Sequence, residues 1–253
     1  MFALSIQYFL AYFRYPSLYG IGIALAFAVL WLLLYRPPLF SKPAAWLALA
    51  GGALAGMLAT AFILGPLNGL LSVEQYIKDG QTGRLLLGGL LLVIAGGAIQ
   101  ESAKLLPVWL IWKRSRKTLE PRMGLLLGAA AGIGFGLLEA QWVHNLLFAT
   151  GWNWDVFPTE YLSALITFWE RLAMIGLHAG LSALAGWGMA KGKCWQYFTA
   201  AAGLHALAGF LSYLLAGGVI SVLLMELALT ILVLVLTVVM VSVRGELTKE
   251  DKS

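Results

Sequence analysis

Eight polar or ionisable side chains interrupt long apolar runs in the middle of this sequence: Gln100, Glu101 and Lys104, then Glu139, then Glu170, Arg171 and His178, then His205. Two imidazoles and a carboxylate, here His178, His205 and Glu139, are a competent ligand set for a divalent metal such as Zn2+, with one coordination position left for water. Without a metal the same groups can activate water by general-base chemistry, with Glu101 or Glu139 as the base. Residue types alone leave both routes open. The pairing of two histidines four apart around a glutamate on one helix is absent, so a metal centre has to be assembled between helices. Glu101 and Lys104 are three apart, share a helical face and can neutralise one another. Glu139 has no basic residue within four positions, so it needs a partner from another element or a proton. No serine-nucleophile motif competes with these groups.

The elements that must position them follow from composition. The chain has 253 residues, 60% hydrophobic and 11% charged, whereas a water-soluble domain carries about 25% charged residues. The expected fold class is therefore all-α, a polytopic membrane protein. A helix needs about 20 apolar residues to cross the hydrocarbon core. Cutting at Pro, Gly, Asn and charge clusters predicts seven spans: Ser17 to Tyr35, Ala44 to Leu70, Leu85 to Trp112, Met123 to Phe148, Leu162 to Ala190, Trp195 to Ala216 and Val219 to Val243. Together they make a single transmembrane helical domain over 1–243, followed by a polar cytoplasmic tail over 244–253. Met1 to Tyr15 reads as an interfacial segment.

The net charge is +5, but the basic residues lie in short gaps between apolar runs, which reads as topology information and not as a nucleic-acid surface. Lys113, Arg114, Arg116, Lys117 and Arg122 place the third gap in the cytoplasm, and alternation then predicts the N-terminus outside and the C-terminus inside. Asp155 and Glu160 fall on the outer side. A single cysteine, Cys194, permits neither an intrachain disulfide nor a paired-cysteine metal site.

Counting inward from the cytoplasmic ends puts Glu101 about 11 residues deep, Glu139 about 16, His178 about 12 and His205 about 10, at about 1.5 Å of rise each. Four ionisable groups on four consecutive helices thus lie within about two turns of one level. A lone membrane histidine is ordinarily a packing residue; at matching depth with two carboxylates, the pair reads as a site. Each such group also needs a reason to be there, since burying a charge mid-bilayer costs about 2.5 to 3.5 kcal/mol. Gly124, Gly128, Gly132 and Gly136 form a smooth ridge that lets a neighbouring helix approach, which makes the fourth span central without assigning it chemistry. Arg171 and Glu170 either line an access route or anchor the interface. His144 and Asn145 read as interfacial, and Trp112, Trp142, Trp152, Trp154, Trp169 and Trp195 near span ends read as an aromatic belt.

The order Gln100-Glu-Ser-Ala-Lys104, Phe135-Gly-Leu-Leu-Glu139, then His178 and His205 on successive helices resembles the superfamily of intramembrane proteases that contains the type II CAAX prenyl proteases and PrsW. Gly132-Ile-Gly-Phe-Gly-Leu-Leu-Glu139, Glu170-Arg171 ahead of His178, and Leu204-His205-Ala-Leu look most like its YhfC branch. The resemblance covers roughly residues 85 to 215. It implies an intramembrane metallopeptidase of the bacterial cytoplasmic membrane, acting on a membrane-embedded or membrane-proximal peptide, with Glu101, Glu139, His178 and His205 forming the active site and Lys104 supporting it. The chain departs from the pattern at Gln100, where the family usually has the first glutamate of a pair, and an amide is neither a base nor an anionic ligand. A non-catalytic scaffold or chaperone that uses the cluster to bind partner helices is a second reading. A proton-coupled transporter is a third, although the broken-helix inverted repeat of that class is not evident.

Overall fold

The computed structural model describes Ile6, Phe9, Leu10, Phe13, residues 16–149 and residues 157–250, with side chains of the last group from 165 to 249. The expected interfacial segment Met1 to Tyr15 lies mostly outside the described residues, as do Trp152, Trp154 and Asp155, and the side chain of Glu160 is not described.

All regular structure among the described residues is helical. Helix α1 (Leu18–Tyr35) begins where the Ser17 hydroxyl accepts from the Gly20 N–H, and it ends at Arg36 in the left-handed conformation before Pro37 and Pro38, which cannot extend it. Helix α2 (Pro43–Ala59) has Pro at its first turn and runs through a π-helical turn, Thr60–Leu64, into α3 (Gly65–Leu71). The Gly65 N–H bonds the Thr60 carbonyl, and Pro66 follows without an N–H to offer, which is where the helical ladder is re-registered. A short α4 (Val73–Lys78) leads to the long α5 (Thr82–Arg114), followed by α6 (Pro121–Ala149), α7 (Phe157–Ala190), α8 (Cys194–Ala216) and α9 (Val222–Glu250).

Seven of these rods, α2 to α3 counting as one, are long and apolar enough to cross a bilayer. They coincide with the seven predicted spans to within a few residues, except at the end, where α9 continues as helix beyond Val243 to Glu250. The protein is an integral membrane protein. Outward-facing residues such as Leu25, Val29 and Leu33 on α1 and Leu227, Ile231 and Val238 on α9 are aliphatic and exposed, as a lipid-facing surface requires.

Helices α6 and α7 form the centre. Of their most apolar stretches 78% is buried, against 17–33% for the other spans. The predicted glycine ridge explains the pairing: a Cβ on Gly124, Gly128 or Gly132 would fall on the backbone of Gly186, Ser182 or His178, and one on Gly136 would come within 2.8 Å of Ile175 Cα. Lipid gives helices no hydrophobic reason to associate, so close backbone approach at small residues is what holds them together. On the other side of α6, Gly52 and Gly56 of α2 receive Ala131 and the Phe135 ring.

His144 and Asn145, expected at the interface, are fully buried between α6 and α1. The Ser17 N–H donates to Asn145 Oδ1 at 3.1 Å, and His144 packs edge-on against Phe27 and Phe168. At the opposite end, Arg244 Nη1 donates to the carbonyls of Leu34 and Tyr35 at 2.6 and 2.8 Å, fastening α9 to the end of α1.

Candidate active site

Helix α5 carries Gln100, Glu101 and Lys104, α6 carries Glu139, α7 carries Glu170, Arg171 and His178, and α8 carries His205. The structure brings all of these except Gln100 into one connected polar cluster. Lys104 Nζ donates to Glu101 Oε1 at 2.5 Å and lies 3.0 Å from His178 Nδ1. His178 Nε2 lies 3.1 Å from Glu139 Oε2, and Arg171 Nη1 donates to that same oxygen at 3.4 Å. On the other flank His205 Nδ1 lies 2.7 Å from Glu101 Oε1. Arg171 also pairs with Glu170.

Burial makes these contacts consequential. Glu101, Lys104 and His178 are at most 1% exposed and His205 is 9% exposed, so the groups are desolvated and depend on one another for charge and hydrogen bonding. A lysine ammonium has no acceptor. Facing it, His178 Nδ1 must offer its lone pair, and a neutral ring then carries its proton on Nε2 and donates to Glu139. Lys104 and Glu139 thus set the tautomer of His178 from opposite sides. The Phe135 and His178 rings meet edge to face, with centroids 4.6 Å apart at 89°.

Three carboxylates, Glu101, Glu139 and Glu170, face two fixed cations, Lys104 and Arg171, so with neutral imidazoles the cluster carries an excess negative charge that suits a cation. Glu101, His178 and His205 each offer a ligand atom within 4.8 Å of the others. Imidazole and carboxylate donors at this spacing, all buried, fit a divalent metal of the zinc class. The carboxylate in this group is Glu101. Glu139, expected beside the two histidines, meets His178 at the opposite ring nitrogen.

Gln100 points away from the ions: its Nε2 donates to Thr60 Oγ1 at 3.3 Å. Two neighbours escaped the sequence reading. Ser182 Oγ donates to Glu101 Oε2 at 3.4 Å, and its position four residues after His178 on one helical face was the available signal. Glu226, on α9, is 8% exposed and neither of its oxygens has a hydrogen-bond partner among the described residues; as a lone carboxylate inside an apolar run it met the same criterion as Glu139. Trp142, expected in the aromatic belt, lines a cavity with Gln100 and His205.

No curated protein and no solved structure matches the chain. A family model described as PrsW family intramembrane metalloprotease matches residues 42–245, a stretch that contains every residue of the cluster and six of the seven spans in full or nearly so. By that match the chain belongs to the PrsW family of intramembrane metalloproteases.

Proposed function

We propose that this protein cleaves peptide bonds of membrane-embedded or membrane-proximal substrates, with Glu139 as the general base and Glu101, His178 and His205 as the residues that hold a divalent metal. The observation that carries this reading is the linked Glu139–His178–Lys104–Glu101–His205 series, drawn from four helices with no step longer than 3.1 Å. When bound, the metal supplies Lewis-acid polarisation and a more acidic water.

The chain's own residues do the rest. Glu139 is held by Arg171 and His178 through Oε2 and faces a cavity of 190 Å³ shared with Glu170, Arg171 and Ser212, room for several waters at about 30 Å³ each. Glu139 takes a proton from such a water as its oxygen bonds to the carbonyl carbon of the substrate. It returns that proton to the amide nitrogen as the C–N bond breaks, leaving a carboxyl and an amine. Lys104 neutralises Glu101 and, until a metal takes His178 Nδ1, orients that ring, and Ser182 orients Glu101. Gln100 lies outside this series, so its lack of a carboxylate leaves both proton transfers in place.

A second reading, a non-catalytic scaffold, is favoured by one observation: the Lys104 ammonium already bonds both Glu101 and His178 Nδ1, filling with an organic cation the place a metal needs. The two separate in proteoliposomes containing the purified chain and single-span peptides. The peptidase reading expects bound metal and cleavage that Glu139→Gln abolishes; undiminished cleavage by that variant rejects the base assignment, and metal-free protein without cleavage selects the scaffold. The basic gap over 113–122 supports an orientation with the C-terminus in the cytoplasm, while residence in a bacterial cytoplasmic membrane rests on the family resemblance alone.

A further inference from the structure

A cavity of 270 Å³ lies between the π-helical turn after α2, α5 and α8. Leu64, Leu92, Val93 and Gly96 are among its walls, while Thr60, Gln100 and His205 supply polar groups. His205 is shared with the cluster, since its ring lines the cavity while its Nδ1 lies 2.7 Å from Glu101. The cavity is therefore a second space bordering the site, distinct from the polar one that Glu139 lines, and Gly209 of α8 borders both.

The cavity is lined by a glycine that helix packing does not require. Gly97 must be small, because a Cβ there would fall on the Ala202 carbonyl of α8. Its neighbour Gly96 has no such constraint: a Cβ would meet only the Leu64 methyls, at 3.9 and 4.0 Å. Glycine inside a helix is less stable than alanine by about 0.5–1 kcal/mol, so its presence at 96 has a local cost and one visible effect, the open space. The π-helical turn acts on the same wall, because Thr60, its first residue, turns its hydroxyl toward Gln100, and such turns recur at functional sites.

Resting on the peptidase reading, we propose that this cavity is the subsite for a bulky apolar side chain of the substrate, beside the bond that is cut, and that Gly96 sets its depth. Apolar walls suit an aliphatic or aromatic side chain. The amide of Gln100 and the hydroxyl of Thr60 suit the peptide groups flanking it, which in lipid must find hydrogen bonds when the substrate unwinds. A lipid tail has no use for them. Gln100, which has no place in the ion series, thus acquires a role in binding.

Two measurements on the full chain in phosphatidylcholine liposomes test this. Single-span peptides carrying a diazirine leucine analogue should cross-link to Leu64, Leu92 or Val93, and Gly96→Leu should suppress those products. Gly96→Leu should also lower kcat/KM about 10- to 200-fold for peptides with Leu or Phe at the cleavage site, while sparing those with Ala; Gly96→Ala should fall between. Thermal unfolding of both variants should match the parent. Cross-links absent from these residues, cross-links formed by a diazirine phosphatidylcholine and not displaced by peptide, or an unchanged Leu-to-Ala preference in Gly96→Leu would overturn the proposal. Cross-linking needs no hydrolysis, so it stands or falls separately from the peptidase reading, which fails on undiminished cleavage by Glu139→Gln.

Discussion

His178 Nε2 meets Glu139 Oε2 at 3.1 Å, although the two residues are 39 positions apart and on different helices. The contact exists because Gly132, two turns before Glu139, lets α6 rest directly on the backbone of His178. Packing and the polar cluster are joined at this point: the same ridge that holds the bundle sets the distance between carboxylate and imidazole.

Removing the proposed base without removing its shape is the most direct check. Glu139→Gln keeps a hydrogen-bond acceptor for Arg171 but cannot take a proton, so hydrolysis should fall about 10²- to 10⁴-fold, with thermal unfolding little changed. His178→Ala should lose activity and stability together, because it removes one buried partner each from Lys104 and Glu139 and leaves a cavity beside the Phe135 ring. Steady-state cleavage of reconstituted protein, paired with unfolding in detergent, distinguishes the two.

In the proposed peptidase, Lys104 and the metal would compete for Glu101 and His178. Lys104→Met leaves Glu101 without its buried counterion, a change of the kind that costs about 3–5 kcal/mol. A bound divalent cation should recover much of that loss, since a ligand stabilises the state that binds it. The expected result is a marked drop in Tm for metal-free Lys104→Met and a larger zinc-induced rise in Tm than the parent shows. Equal zinc responses would remove Lys104 from the metal site.

Metal removal should abolish cleavage reversibly. Chelator treatment followed by Zn2+ should restore activity, and the metal should be lost progressively as pH falls through the acid range, because ligating histidine and glutamate must be deprotonated. Elemental analysis across that range reads occupancy directly. Full activity in the chelated protein would leave only the metal-free route.

The ridge itself can be tested by size. A Cβ at Gly132 would fall on the His178 carbonyl, whereas one at Gly22 of α1 would meet nothing within 4 Å. Gly132→Val should push α7 outward and lose both activity and stability, with a cost of about 1–3 kcal/mol for overpacking. Gly22→Ala should leave both near the parent value. Cleavage rates and unfolding midpoints of the pair decide it.

Much of this architecture was legible without coordinates. The number of spans and most of their ends follow from apolar run length and from Pro, Gly and charge, because bilayer thickness is a length measured along the chain. Depth is also a length, so counting residues put Glu101, Glu139, His178 and His205 at one level. The Glu101–Lys104 pair was visible as neighbours on one helix. Even the importance of the α6 glycines was legible, though not the partner they faced.

What the sequence determined, then, was which groups share a height in the membrane and that they need partners there. Tertiary structure alone decided which partner each one takes: that Glu101 joins the two histidines, that Glu139 reaches His178 from its far nitrogen, that Lys104 spans Glu101 and His178, and that Gln100 turns to Thr60 and a cavity. The reason is geometric. Rise along a helix is a local property of the backbone, but the rotation of one helix against another is set by contacts such as Gly132 on His178 and Gly56 on Phe135, between residues that no local pattern connects.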